Sequence, residues 1–335
     1  MTLTDRTSPY WRTTMLFILF VLITTTVSNA VDHAALTWNK LHTTHSLPAR
    51  QLFASAYDPI SKKTVVFGGF DANNAALGDT WTFDGTTWKQ VKTKVAPSAR
   101  GLTSMAYDSK IHKLVLFGGG VGLIRLADTW LWDGKTSTWK EAKPKNVPTA
   151  AVGAILFTDP VNGHAMMFGG NHGQFYSRDT LEWTGSDWKL LNPSTSPYPR
   201  DCAVVASDPI HKNVVLFGGI SDNWVVQNTW TWDGTNWTQL SPATQPPPLY
   251  RTTGVFDPVL KQVLVFGGGS VAQDQSTTWA WDGTNWSKLS PTKHPSAREG
   301  LGALWDENNS QFLLFDGSNF NNGKFFSDTW TLTEQ

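Results

Sequence analysis

The chain has 335 residues with 27 basic and 27 acidic side chains, 18 tryptophans, 28 glycines and a pI near 7.1. Such a balance lacks the positive field that holds a phosphate backbone or an anionic lipid surface, so nucleic acid and membrane surfaces are excluded as expected partners. Charged residues make up 16% of the chain, below the roughly 25% usual for soluble domains, while the Trp and Gly content suits many short strands stacked through aromatic contacts.

Residues 1–30 stand apart from the rest of the chain. Arg6 and Arg12 precede an apolar run from Met15 to Thr24, and Ser28-Asn29-Ala30 offers small residues at a cleavage point, which is the pattern of a secretory signal peptide. The run is far short of the roughly 20 apolar residues that a spanning helix needs. The expectation is an exported protein, secreted or periplasmic, with no membrane insertion after cleavage and residues 31–335 forming one domain, a monomer. Cys202 is the only cysteine, so no internal disulfide staples it and packing must hold it together.

From Val65 onward the chain rewrites one unit. An apolar run ends in Gly-Gly; a variable polar loop comes next, then Asp-Thr-Trp, then Asp-Gly and a second Trp. The first glycines are Gly68, Gly118, Gly169, Gly218 and Gly267, with a decayed sixth copy at Asp316-Gly317, so the spacings are 50, 51, 49, 49 and 49. A period near 50 built of short strands signals propeller blades. The fold class is therefore all-β, a six-bladed β-propeller of four-stranded blades.

Within a unit the elements keep a fixed order. A corner opens it, at Leu47-Pro48-Ala-Arg50, Pro97-Ser-Ala-Arg100, Pro197-Tyr-Pro-Arg200, Pro248-Leu-Tyr-Arg251 and Pro295-Ser-Ala-Arg298; unit three has Pro148-Thr-Ala-Ala151 instead. The first strand ends at Asp58, Asp108, Asp159, Asp208, Asp257 or Asp306, four of them followed by Pro. That is type I turn chemistry, with Asp at i and Pro at i+1. A β-rich second strand runs to the Gly pair, where positive φ or close backbone approach is needed. The third strand carries the Asp-Thr-Trp element. An Asp-Gly turn then leads to a fourth strand bearing Trp88, Trp139, Trp188, Trp237 or Trp286. The sixth unit stops before its fourth strand, and Ala35-LTWNKL reads like that missing piece, with Trp38 in the place of Trp88. The N-terminal strand is thus expected to complete the last blade and close the ring, removing two open edges.

The Gly-Gly pair, its spacing to the paired aromatics and the end-to-end closure resemble the kelch-repeat superfamily, in particular exported six-bladed kelch propellers, over residues 35–335. The resemblance bears on fold; function lives in sites grafted onto it.

Antiparallel strands place the arginine corners, the loops between second and third strands and the connections between units on one rim. Sequence variation concentrates there, so that rim is the expected recognition surface. Arg50, Arg100, Arg200, Arg251 and Arg298 are read as converging around the axis, where guanidinium groups would grip carboxylates of an acidic sugar or peptide. The same arginines have a structural reading, as partners of loop carbonyls or of the Asp opening strand three. The loop aromatics Phe175, Tyr176, Trp224, Phe320, Phe325 and Phe326 suit stacking on sugar rings or anchoring a partner. The expected ligands are a glycan or an acidic peptide or protein segment, with Tyr176 and Trp224 joining the five arginines.

Catalytic constellations are sparse. A copper radical oxidase, the best-known enzyme on this fold, would need a Cys-Tyr pair with further Tyr and His ligands; Cys202 instead aligns with Leu52, Leu102, Gly153 and Gly300 and reads as a small packing residue. His45, His172 and His294 show no ligand spacing, and no metal or cofactor is expected. Exported relatives in the resembled family include sugar-acid mutarotases, which keeps a second reading open: Glu299 or Asp201 as general acid or base. Strand alternation predicts that both face away from their neighbouring arginines.

Overall fold

Runs of β-branched and aromatic residues between Asp-bearing turns fold, as expected, into six four-stranded antiparallel sheets. The computed structural model describes residues 36–222 and 224–334; the expected signal peptide lies outside them. Blade one is built from Ala54–Asp58, Lys63–Phe67, Thr80–Phe83 and Trp88–Val91, paired in that order. Second strands such as Lys63–Phe67 and Asn213–Phe217 are buried at every position but the first, because they lie between two strands of their own sheet and under both neighbouring blades. They therefore read as continuous apolar runs instead of an alternation. Blade six is completed by Leu36–Leu41, which pairs antiparallel with Thr329–Glu334 and sets Trp38 opposite Leu332, as Trp88 stands opposite Phe83.

The core is a set of layers between blades. Val115 and Phe117 of blade two pack on Leu156, Met167, Trp183 and Trp188 of blade three, and the pattern repeats around the ring. Each fourth-strand Trp also donates its indole N–H to the Thr of the preceding blade's third strand. Trp88 bonds Thr329, Trp139 bonds Thr80, Trp188 bonds Thr129, Trp237 bonds Thr180, Trp286 bonds Thr229 and Trp38 bonds Thr278, at 2.9–3.1 Å. The Thr of Asp-Thr-Trp thus satisfies a buried indole, which would otherwise cost about 1–3 kcal/mol.

A second hoop encircles the axis. The backbone N–H of Leu52, Leu102, Gly153, Cys202, Arg251 and Gly300 donates in each case to the carbonyl of the equivalent residue one blade back, at 2.7–3.0 Å, and the circle closes from Leu52 to Gly300. All six adopt left-handed φ, from 50° to 64°. The Gly pairs serve the same crossing: a Cβ on Gly68 would lie 2.5 Å from the Arg100 carbonyl of the next blade. Blade six puts Asp316 at that position, also with positive φ, and burial drives its carboxyl well above the usual carboxylate range.

The six strand-end aspartates are turn residues, as expected. Each accepts the backbone N–H two residues on, as Asp58 does from Ile60 and Asp159 from Val161.

Candidate functional site at the axis

The arginines do not converge. Arg50, Arg100, Arg200 and Arg298 are fully buried within their own blades. Arg50 shows the pattern: Nε donates to Pro48 O at 3.1 Å, Nη1 to Gly68 O at 3.0 Å, and Nη1 and Nη2 straddle the Asp79 carboxylate at 2.7 and 2.9 Å. Arg100 grips Asp128 and Arg298 grips Asp328 in the same way. Burial alone would raise these aspartates, but the arginine hydrogen bonds and charge outweigh it and hold the carboxyls below their usual values. Bidentate pairing of this kind ties the corner to strand three. In blade four Asn228 stands in for the Asp and accepts only from Nη1, leaving Arg200 Nη2 without a partner among the described residues. Burial without a counter-charge lowers the Arg200 guanidinium to about 10.

Arg251 alone behaves differently, because it is not a corner residue. The corner of blade five is Leu249, whose carbonyl accepts from Gly219 at 2.8 Å as the Arg100 carbonyl accepts from Gly69. Arg251 lies two residues further on, in the axial hoop. Each true corner arginine bonds the residue 18 positions later, whereas Arg251 precedes Gly267 by only 16. That count was the available signal; the Pro248-x-x-Arg251 match concealed it.

At the axis Arg251 Nη1 bonds Glu299 Oε1 at 2.8 Å, and its guanidinium lies 5.5 Å from the Tyr250 ring centre. Glu299 is 1% exposed and Asp201 6%, while 30% of the Arg251 side chain reaches solvent. Burial raises Asp201 to about 7 against the opposing pull of Arg251, and burial likewise raises Glu299. Arg251 Nε, Glu299 Oε2 and Asp201 Oδ1 are buried without partners among the described residues. Gly269 leaves the room this needs, since a Cβ there would lie 2.2 Å from Glu299 Oε2 and 2.6 Å from the Tyr250 ring. As expected from strand alternation, Glu299 and Asp201 make no bond to the adjoining Arg298 and Arg200; Glu299 bonds Arg251 of blade five instead, and Asp201 lies within reach of its charge.

The collar is therefore two-sided. Blades four and five contribute Cys202 and Arg251 to the axial cavity, with Glu299, Tyr250 and Asp201 grouped about Arg251, while blades one and two contribute Leu52 and Leu102 and blade three Gly153. Cys202 is not simply a packing residue: it lines the axial cavity in the hoop, with burial raising its thiol far above the ordinary range.

Above the collar, five successive loops carry a large apolar side chain that is more than half exposed: Leu123 and Ile124, then Phe175, Trp224, Val271 and Phe320. Tyr176 is partly covered, its hydroxyl raised by burial and by the charge of Asp201. Phe326 instead folds down, with the Arg298 guanidinium 3.9 Å from its ring centre. Among the described residues no group of three or more His, Cys, Asp or Glu is placed to hold a metal ion.

The profile of the KLHDC2/KLHL20/DRC7 kelch-repeats domain matches residues 24–194, just over half of the chain. Among solved structures the fold is shared with that of YjhT, at a TM-score of 0.68 and 15% identity, over 88% of this chain and 99% of that one. No curated protein matches the sequence.

Proposed function

The chain belongs to the kelch-repeat family, and from that premise we propose that it is an exported binding module whose ligand is a glycan seated over the axis on the loop face. The observation that carries this reading is the polar half-collar of Arg251, Glu299 and Asp201 ringed by exposed apolar loop tips. A sugar presents both kinds of surface. Its hydroxyls suit the unpartnered oxygens of Asp201 and Glu299 and the remaining donors of Arg251, and its C–H face suits Tyr250, Tyr176 and Trp224. Acidic ligands are less favoured than a ring of five arginines would make them, because four are consumed internally and the fifth already faces Glu299.

The test is a glycan and peptide binding screen on the mature protein. Neutral oligosaccharides are expected to be retained without turnover, and Arg251→Ala and Tyr250→Ala to weaken retention. Undiminished binding by both variants, or selective retention of acidic peptides, would overturn the reading.

One observation favours a second reading, that of a sugar mutarotase. Asp201, its carboxyl raised to about 7 by burial within reach of the Arg251 charge, is suited to exchange protons with an anomeric hydroxyl and ring oxygen. Anomer exchange followed by NMR, abolished in Asp201→Asn or Glu299→Gln, would establish it; rates equal to buffer alone would end it.

A further inference from the structure

Blade three keeps the receptor for a corner arginine but not the arginine. Its backbone frame is that of the other blades: Gly169 N–H donates to Asp179 O at 3.1 Å, as Gly68 does to Asp79 at 3.2 Å, and Gly119 N–H donates to Ala151 O at 2.8 Å, as Gly69 does to Arg100. The acceptors that hold a guanidinium elsewhere thus recur as the Gly169 carbonyl, the Thr149 carbonyl and the Asp179 carboxylate. Two side chains are missing. Ala151 stands where Arg50 and Arg100 stand, and Leu181 replaces the tryptophan that in blades one and two donates its indole N–H to the same aspartate at 2.6–2.7 Å. Together they open a cavity of about 560 Å³ bounded by Ala151, Gly169, Asp179, Leu181, Trp188 and His172. Asp179 is solvent-exposed, unlike its paired counterparts, and among the described residues no basic side chain pairs with it.

We propose that this cavity is a binding site for an alkylguanidinium group, the chemistry that fills the same acceptors from within in blades one, two and six. A planar fork can take the carboxylate bidentately while a third N–H reaches the Gly169 carbonyl, and the alkyl stem lies along Leu181 and Trp188. An ammonium offers no such fork. The site shares no residue with the axial cluster and does not rest on the glycan reading.

The experiment is an NMR titration of the mature protein with ethylguanidinium, beside ethylammonium and urea. Saturable shifts at Ala151, Gly169 and Asp179 are expected with ethylguanidinium and not with the other two. Asp179→Asn, which keeps the volume, should weaken the affinity about tenfold or more, and Ala151→Arg should abolish it by filling the site from inside. Arg251→Ala should leave it unchanged, which separates this result from any failure at the axis. N-acetylarginine amide and an arginine-containing peptide identify the source: equal affinity with ethylguanidinium supports a free small molecule, and tighter binding of the peptide supports a partner's arginine side chain. Linear, unsaturable shifts, equal binding of ethylammonium, or undiminished affinity in Asp179→Asn would each overturn the proposal.

Discussion

Asn228→Asp should stabilise the protein. In the native chain Arg200 is fully buried and bonds Asn228 Oδ1 at 2.8 Å, while its Nη2 and the neighbouring Trp230 indole N–H have no partner among the described residues. Blades one and two show what an aspartate supplies at this position: two bonds to the arginine and one to the indole. Each orphaned buried donor costs about 1–3 kcal/mol, and the new carboxylate carries its own desolvation cost. The net gain is about 2 kcal/mol, or roughly 3 °C in Tm for a domain of this size. The sign with pH comes from Asp79, Asp128 and Asp328, whose folded carboxyls sit below their usual values. The gain should be full above about pH 4, the unfolded carboxyl's range, and fade as pH falls through the lower folded value. Urea unfolding at constant slope, repeated from pH 7 down to acid, measures it. No gain at pH 7, or a gain that survives undiminished at pH 2, would refute the reasoning.

Asp201→Asn should stabilise the protein in the opposite pH window. Its folded carboxyl is raised to about 7, so the acid's compatibility with the fold is complete below about pH 4 and lost as pH rises through 7; the variant should gain on the order of 2–4 kcal/mol at pH 8 and little at pH 4, and equal gains at both would contradict this. Trp38→Ala should cost about 3–5 kcal/mol, because Trp38 is wholly buried, bonds Thr278 and packs edge-on to Phe266 and Phe312. It should also promote aggregation by loosening the closing strand, whereas Trp224→Ala, on an exposed tip, should stay within about 0.5 kcal/mol of the parent in the same melts.

Much of this architecture is legible in the residues because the blade demands them at fixed intervals. The Gly pairs mark where neighbouring corners cross, the six aspartates are turn acceptors, and Trp38 reads as the displaced partner of Trp88. The axial hoop is not legible, because main-chain bonds leave no side-chain signature and tolerate Leu, Gly, Cys and Arg alike. Arg251 is misleading for a related reason: a short motif repeats by coincidence two residues out of register, and only the count to the Gly pair separates the two. Loop aromatics stand out by type, yet exposure depends on geometry, so Phe326 is buried under Arg298 while the aliphatic tips Leu123, Ile124 and Val271 join the surface unannounced.

The axial hoop also bears on how such a molecule can change. Because its six bonds run through backbone atoms alone, the side chains mounted on it are separable from the scaffold, like tools in interchangeable sockets. Occupancy by anything but glycine carries a modest strain, about 1 kcal/mol for a left-handed residue, and four of the six sockets carry it here. Exchanging Leu52 or Leu102 for a charged or hydroxylated residue would redraw the chemistry of the mouth without disturbing a single blade.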